Sequence, residues 1–209
     1  MKVSVTYLVR LFDIDKTINL IEESNADFIH VDFMDGKFVS NTNFEIEEIK
    51  KFLKDTKKKL DVHIMANNPL YYLDAFKSLN TEYFTFHYEA VSDIESTIKK
   101  IKEANLKVGL AINPDTNIDS IKPYLEELDL VLVMGVVPGY GGQKFILDTL
   151  DKIKELSKLK GNFKIAVDGG VNDSTAKSIK ESGADILVAG SYIINSDNYN
   201  ERINKLKNI

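Results

Sequence analysis

The sequence has no cysteine in its 209 residues. That excludes disulfides, thiolate metal sites and a cysteine nucleophile. No apolar run is long enough to cross a bilayer, so no membrane partner is expected. The opening stretch MKVSVTYLVRLFDID has no long apolar segment and no small-residue cleavage site. No signal peptide is therefore expected, and the cytoplasm is the default location. Basic residues are outnumbered, 27 against 32 acidic, for a net charge of −5. A general nucleic-acid surface is not expected on such a chain, and an anionic ligand must be held by a local field. No Gly-rich dinucleotide fingerprint follows the first β-rich run. No linker, low-complexity tract or charge block divides residues 1–209, which read as one domain.

What the chain does have is an alternation. Short β-rich runs occur eight times: KVSVTYL, DFIHVDFM, KLDVHIM, EYFTFHYE, KVGLAIN, LDLVLVMGV, FKIAVDGG and ADILVAG. Between them lie helical patterns with isoleucine and leucine at three- and four-residue spacing. These are DKTINLIEESN, EIEEIKKFLKDTKK, NPLYYLDAFKSLN, VSDIESTIKKIKEAN, NIDSIKPYLEEL, FILDTLDKIKELSKLK and DSTAKSIKESG. The lysine-rich stretches among them carry glutamates and read as solvated helix faces rather than membrane-surface helices. Strict alternation implies parallel strands joined by right-handed crossovers. Eight units favour a closed (β/α)8 TIM barrel over an open doubly wound sheet.

Active sites of such barrels form at the C-terminal ends of the strands, and the unusual polar residues fall there. His30 and Asp32 end the second run, His63 the third, His87 the fourth and Asp168 the seventh; the chain has only three histidines. Residues two apart on a strand share a face, so His30, Asp32 and Met34 form one polar stripe while Val31 and Phe33 face the helix layer. Imidazole with carboxylate suits one divalent ion such as zinc, iron, manganese or cobalt. A metal site of His30, Asp32, His63 and Asp168 is expected, with His87 behind it as a supporting or packing residue.

Three glycine-bearing loops follow the last strands: PGYGGQKF, DGGVND and AGSYI. Glycines let backbone N–H groups approach an anion closely, and barrels often bind phosphate with the loops after strands seven and eight. A metal, two carboxylates and a phosphate cradle on one mouth fit proton abstraction next to the carbonyl of a sugar phosphate. The metal is expected to act as a Lewis acid that stabilises the enediolate. Two acids on opposite faces of that intermediate invert a carbon centre. Met34, Met65 and Met134 suit either cavity walls or core packing.

HVDFMDGKFV, LDVHIMANNPLYYLDAF, VGLAINPDT, VMGVVPGYGGQKF and VDGGVN…GADILVAGS resemble the ribulose-phosphate 3-epimerase family in order and spacing. The resemblance runs from about Asp27 to Ser191. It implies a ribulose-phosphate-binding type of barrel that interconverts D-ribulose 5-phosphate and D-xylulose 5-phosphate in the pentose phosphate pathway. It implies metal ligands at His30, Asp32, His63 and Asp168, with Asp32 as proton acceptor and Asp168 as donor. Substrate and phosphate contacts are implied at His63, at Gly139, Tyr140, Gly141 and Gly142, at Gly169, Gly170 and Val171, and at Gly190 and Ser191. Met34, Met65 and Met134 match the family's methionine lining. A homo-oligomer is implied as well.

The chain departs from the family pattern in three places. The family's first strand carries a substrate-touching serine, which Ser4 matches only with one residue inserted; an ungapped count lands on Val5. Val137 stands where a polar residue is usual, and Ser40 replaces a proline. Two other readings stay open: a 3-epimerase of a hexulose phosphate such as D-allulose 6-phosphate, and a non-catalytic phosphosugar-binding protein on the same scaffold.

Overall fold

Eight strands alternate with helices along the chain. They are β1 Lys2–Thr6, β2 Phe28–Met34, β3 Lys59–Met65, β4 Thr81–His87, β5 Lys107–Ile112, β6 Leu130–Met134, β7 Lys164–Asp168 and β8 Ile186–Ala189. The structure, a computed structural model, describes residues 1–8 and 13–209. Residues 9–12, part of the opening stretch inspected for a signal peptide, lie outside the described residues. Every strand pairs in parallel with its neighbours in chain order, and β1 pairs with β8, closing the barrel. Seven of the eight expected β-rich runs contain their strand, β4 starts one residue before EYFTFHYE, and KLDVHIM coincides with β3 from end to end.

The helices are α1 Ile14–Glu23, α2 Ile46–Leu53, α3 Leu73–Lys77, α4 Ile94–Glu103, α5 Thr149–Lys158, α6 Ala176–Glu181, α7 Ser191–Ile194 and α8 Tyr199–Lys207. Their apolar spacing buries one face. In α1 the buried isoleucines are 14, 18 and 21, and in α4 they are 94, 98 and 101. Capping fixes several starts. Glu45 and Glu48 form a reciprocal capping box on α2, and the Asp93 side chain accepts from Ser96 N on α4. These bonds satisfy donors that a helix cannot satisfy internally. No described helix is long and apolar enough to cross a membrane.

Two expectations need correction. The stretch expected as one helix over residues 117–128 is two 3-10 turns, Ile118–Ser120 and Lys122–Glu127. Pro123 has no N–H to give the preceding turn, so an α-helix through it would lose a bond and meet a steric clash. Similarly, residues 68–80 begin as a 3-10 turn, Pro69–Tyr72, before α3. Beyond β8, where no helix was expected, the chain forms α7 and α8. The Asn198 side chain caps α8 by accepting from Glu201 N, and Tyr199, Ile203 and Leu206 are its buried face.

Strand alternation sorts the side chains into two apolar layers. Val3, Val5, Ile29, Val31 and Phe33 pack outward against helix residues such as Ile18, Ile49 and Phe76. Phe28, Tyr83, Leu130, Leu132, Ile186 and Val188 fill the barrel interior. At the N-terminal end, aspartates that precede strands bind the neighbouring strand's backbone. Asp27 accepts from Val3 N, Asp129 from Val108 N and Asp185 from Ile165 N, at 2.8–2.9 Å. This end is closed by apolar packing and backbone bonds, which leaves the polar residues of the interior stacked toward the opposite mouth.

Candidate active site

The polar stripe on β2 meets its mirror on β3. Register pairs His30 with Asp61, Asp32 with His63 and Met34 with Met65, so acid and imidazole alternate across the two strands. The result is two short contacts: His30 Nδ1 lies 2.8 Å from Asp61 Oδ2, and His63 Nδ1 lies 3.1 Å from Asp32 Oδ1. Asp168, the last residue of β7, comes across the interior. Its Oδ2 is 3.9 Å from His30 Nε2 and 3.8 Å from His63 Nδ1. One ligand atom from each of His30, Asp32, His63 and Asp168 lies within 4.8 Å of every other.

The group fits a metal ion on its own chemistry. His30 is fully buried, and the acceptor-only Asp61 carboxylate takes the hydrogen bond of its Nδ1–H. Its Nε2 is buried with no hydrogen-bond partner, 3.4 Å from Asp32 Oδ1. A lone pair facing two carboxylates needs positive charge between them. The proton balance gives the same answer. Burial alone pulls the His30 pKa down, yet Asp32 and Asp61 outweigh it and hold the ring well above the usual imidazole range. A proton and a metal ion thus compete for one place.

The two cavity-facing acids are not equivalent. Burial works to raise Asp32, but the charge on His30 foremost, with His63 beside it, overcomes this and holds Asp32 below the ordinary carboxylate range. The Thr6 hydroxyl also donates to Asp32 Oδ2 at 2.6 Å. Asp168 is helped less, by the more distant His30 charge and a backbone hydrogen bond from Gly169. Burial first, then the negative charge of Asp32, pushes it up to about 7.

Behind the group stands His87. Its Nε2 is 2.8 Å from His63 Nε2, and its Nδ1 is 3.1 Å from Glu89 Oε2. Burial foremost holds the His87 pKa down at about 4.

A cavity of about 670 Å³ opens above these residues. Asp32 and Asp168 line it, while His30 and His63 are fully buried beneath. Met34, Met65 and Met134 line it too, each almost wholly buried, so they are cavity wall and core packing at once. The three glycine loops form its far side: Gly139, Tyr140, Gly141 and Gly142 after β6, Gly169, Gly170 and Val171 after β7, and Gly190 and Ser191 after β8. Gly170 has φ +69°, and a Cβ there would sit 2.6 Å from Phe145 N. Only glycine lets the β7 loop pass this close under the β6 loop. Gln143 ties the β6 loop together by donating to the carbonyls of Val137 and Tyr140.

Ser4 is not at the cavity. It is fully buried one layer deeper and donates to Asp61 Oδ2 at 2.9 Å. Thr6, two residues on and on the same face, lines the cavity instead, and Val5 faces the outer apolar layer. Thr6 and Asp61 were both missed by reasoning from the sequence. Period-two spacing carried the signal, from Ser4 to Thr6 and from His63 back to Asp61. Val137 and Ser40 line a neighbouring depression of about 580 Å³ rather than the main cavity. Ser40 Oγ is 3.1 Å from Tyr140 OH, joining the loops after β2 and β6.

Comparison with known proteins gives a consistent result. The family model of the "Ribulose-phosphate 3 epimerase family" matches residues 6–194. A ribulose-phosphate 3-epimerase of Bacillus subtilis (strain 168) is 39% identical over 192 residues, covering 90% of this chain and 88% of the relative. One from Rhodobacter capsulatus is 40% identical over 181 residues, covering 86% and 79%. Among solved structures, 3-hexulose-6-phosphate synthase from Salmonella typhimurium superimposes with a TM-score of 0.67 at 21% identity, covering 100% of this chain and 97% of the other. At that identity the likeness is one of fold.

Proposed function

The chain belongs to the ribulose-phosphate 3-epimerase family, and from that premise we propose that it interconverts D-ribulose 5-phosphate and D-xylulose 5-phosphate by two-base proton transfer at C3. The observation that carries this reading is the contrast between two acids on one cavity. Asp32 is held ionised, while Asp168 keeps its proton up to about 7. Titratable pairs pushed apart in this way are the mark of a base and an acid.

In the proposed reaction Asp32 takes the C3 proton as the C3–H bond breaks, and the bonding electrons pass into a planar enediolate. Asp168 then delivers its proton to C3 from the other face, forming a new C3–H bond with inverted configuration. In the reverse direction the roles exchange. The Thr6 hydroxyl and the charge on His30 hold Asp32 in its ionised form, which keeps the base ready. Met34, Met65 and Met134 exclude water without competing for protons. The loops carrying Gly139–Gly142, Gly169–Val171 and Gly190–Ser191 bind the phosphate through backbone N–H groups.

His30, Asp32, His63 and Asp168 would hold a divalent ion, for which zinc, iron, manganese and cobalt all suit the donor set. When bound, the ion supplies positive charge opposite the negative charge that develops on the substrate oxygens. Val137 and Ser40 stand outside the main cavity, so these departures from the family pattern give no ground for a hexulose phosphate in place of the five-carbon substrate. A coupled assay for xylulose 5-phosphate, with metal analysis of the same sample, tests the reading. Turnover of ribulose 5-phosphate with one ion per chain is expected. Higher kcat/KM on D-allulose 6-phosphate would overturn the substrate.

A further inference from the structure

We propose that Glu89, acting through His87, is a positioning residue that fixes which nitrogen of His63 presents its lone pair to the group of His30, Asp32 and Asp168. The inference rests on the reading of that group as a cation site. Its basis is a chain of donors and acceptors that has only one consistent direction once a cation lies in that group.

The chain starts outside the barrel interior. Glu89 Oε1 accepts from Asn113 N at 2.8 Å and from the Thr116 hydroxyl, both on the loop after β5. The carboxylate is therefore fixed in orientation, and its side chain is only 22% exposed. An ionised carboxylate only accepts hydrogen bonds. The ring nitrogen facing its other oxygen, His87 Nδ1 at 3.1 Å, must carry the proton.

His87 is fully buried, with Phe38 packed on its ring at a centroid distance of 4.7 Å. A neutral imidazole has one N–H, so His87 Nε2 is an acceptor. His63 Nε2, 2.8 Å away, must donate to it. His63 Nδ1 is then a bare lone pair, 3.1 Å from Asp32 Oδ1 and 3.8 Å from Asp168 Oδ2. The opposite set of tautomers would turn the His87 Nδ1 lone pair onto the Glu89 carboxylate and place the His63 Nδ1 proton against Asp32, where the cation has to sit. His30 reaches the same state by direct contact with Asp61, whereas His63 has a whole ring between it and its carboxylate.

The test uses purified full-length protein with isotope-labelled histidine. Three histidines give few enough ring signals to assign. Nitrogen NMR of the zinc-loaded wild type at about pH 8 reads which nitrogen of each ring carries the proton. His63 protonated at Nε2 is expected, and His63 protonated at Nδ1 would overturn the proposal. Zinc affinity is measured alongside by competition with a chelator. Glu89→Leu removes the acceptor and is expected to weaken zinc binding by about 10–100-fold, as loss of a supporting partner typically does. Glu89→Gln keeps an acceptor oxygen and is expected to recover part of that loss, a rescue that a purely structural role would not produce. Zinc affinity within twofold of wild type in both variants would overturn the proposal, and so would equal loss in both. A wild type that binds no divalent ion overturns the cation-site reading itself, whereas zinc binding with His63 protonated at Nδ1 overturns only the role of Glu89.

Discussion

Asp61 Oδ2 lies 2.8 Å from His30 Nδ1, directly across β3 and β2. The Ser4 hydroxyl holds the same carboxylate oxygen from β1. Asp61 therefore sets the orientation of His30 without lining the cavity. Asp61→Asn is expected to weaken divalent metal binding by about 10–100-fold, the usual effect of removing a carboxylate behind a ligating histidine. Chelator competition measures it. Unchanged affinity would show that His30 is oriented by packing alone.

Asp32 and Asp168 each combine two proposed tasks, so their loss is not compensated by a neighbour. Asp32→Asn and Asp168→Asn are each expected to lower kcat by at least about 10²–10⁴, the range for a lost general acid or base. Circular dichroism should show both variants folded. Near-normal turnover in either would remove that residue from the proton path.

Much of this was legible because strand alternation makes polar residues conspicuous in a barrel interior. His30, Asp32, His63 and Asp168 converge as their strand-end positions suggested. The glycine loops were readable for a similar reason, since three of them followed consecutive strands. Other features were hidden. Thr6 and Ser4 carry the same type of hydroxyl, and only the depth of each in the barrel separates cavity from interior. Glu89 acts through the fold of the β5 loop, whose hydrogen bonds to Asn113 and Thr116 span more than twenty residues of sequence. No helix was expected after β8, where Asn195, Ser196, Asp197 and Asn198 are residues typical of turns. Asn198 turns that same polarity into a cap, and the buried face of Tyr199, Ile203 and Leu206 holds the helix in place.

Metal binding should depend on pH with a definite sign. Without a cation, Asp168 titrates at about 7 because burial and then the charge of Asp32 disfavour its ionised form. A cation beside this carboxyl disfavours its proton, so below about pH 7 binding releases part of it. Affinity is expected to fall as pH drops, by about tenfold per unit for each proton released. The raised pKa of His30 adds a second proton in the same direction. Calorimetry in buffers of different ionisation heat counts the protons, and zero release at about pH 6 would contradict the geometry.

Gly170 supports the β7 loop by having no side chain. Its φ is +69°, and Phe145 N stands 2.6 Å from where a Cβ would be, so Gly170→Ala strains the backbone and pushes the β6 loop away. A cost of about 1–3 kcal/mol in stability is expected, with a raised KM for the phosphorylated substrate. Gly161→Ala is the control, because a Cβ there meets nothing within 4 Å. Thermal unfolding and initial rates measure both. Equal behaviour of the two variants would show that the loop tolerates displacement.

The central claim is that Asp32 and Asp168 carry a proton to and from C3 of a ketose phosphate. The most direct measurement incubates the metal-loaded protein with ribulose 5-phosphate in deuterium oxide and follows C3 by NMR. The account predicts xylulose 5-phosphate with deuterium at C3. Binding of the sugar with its C3 proton retained would contradict it and leave a phosphosugar-binding protein on the same barrel.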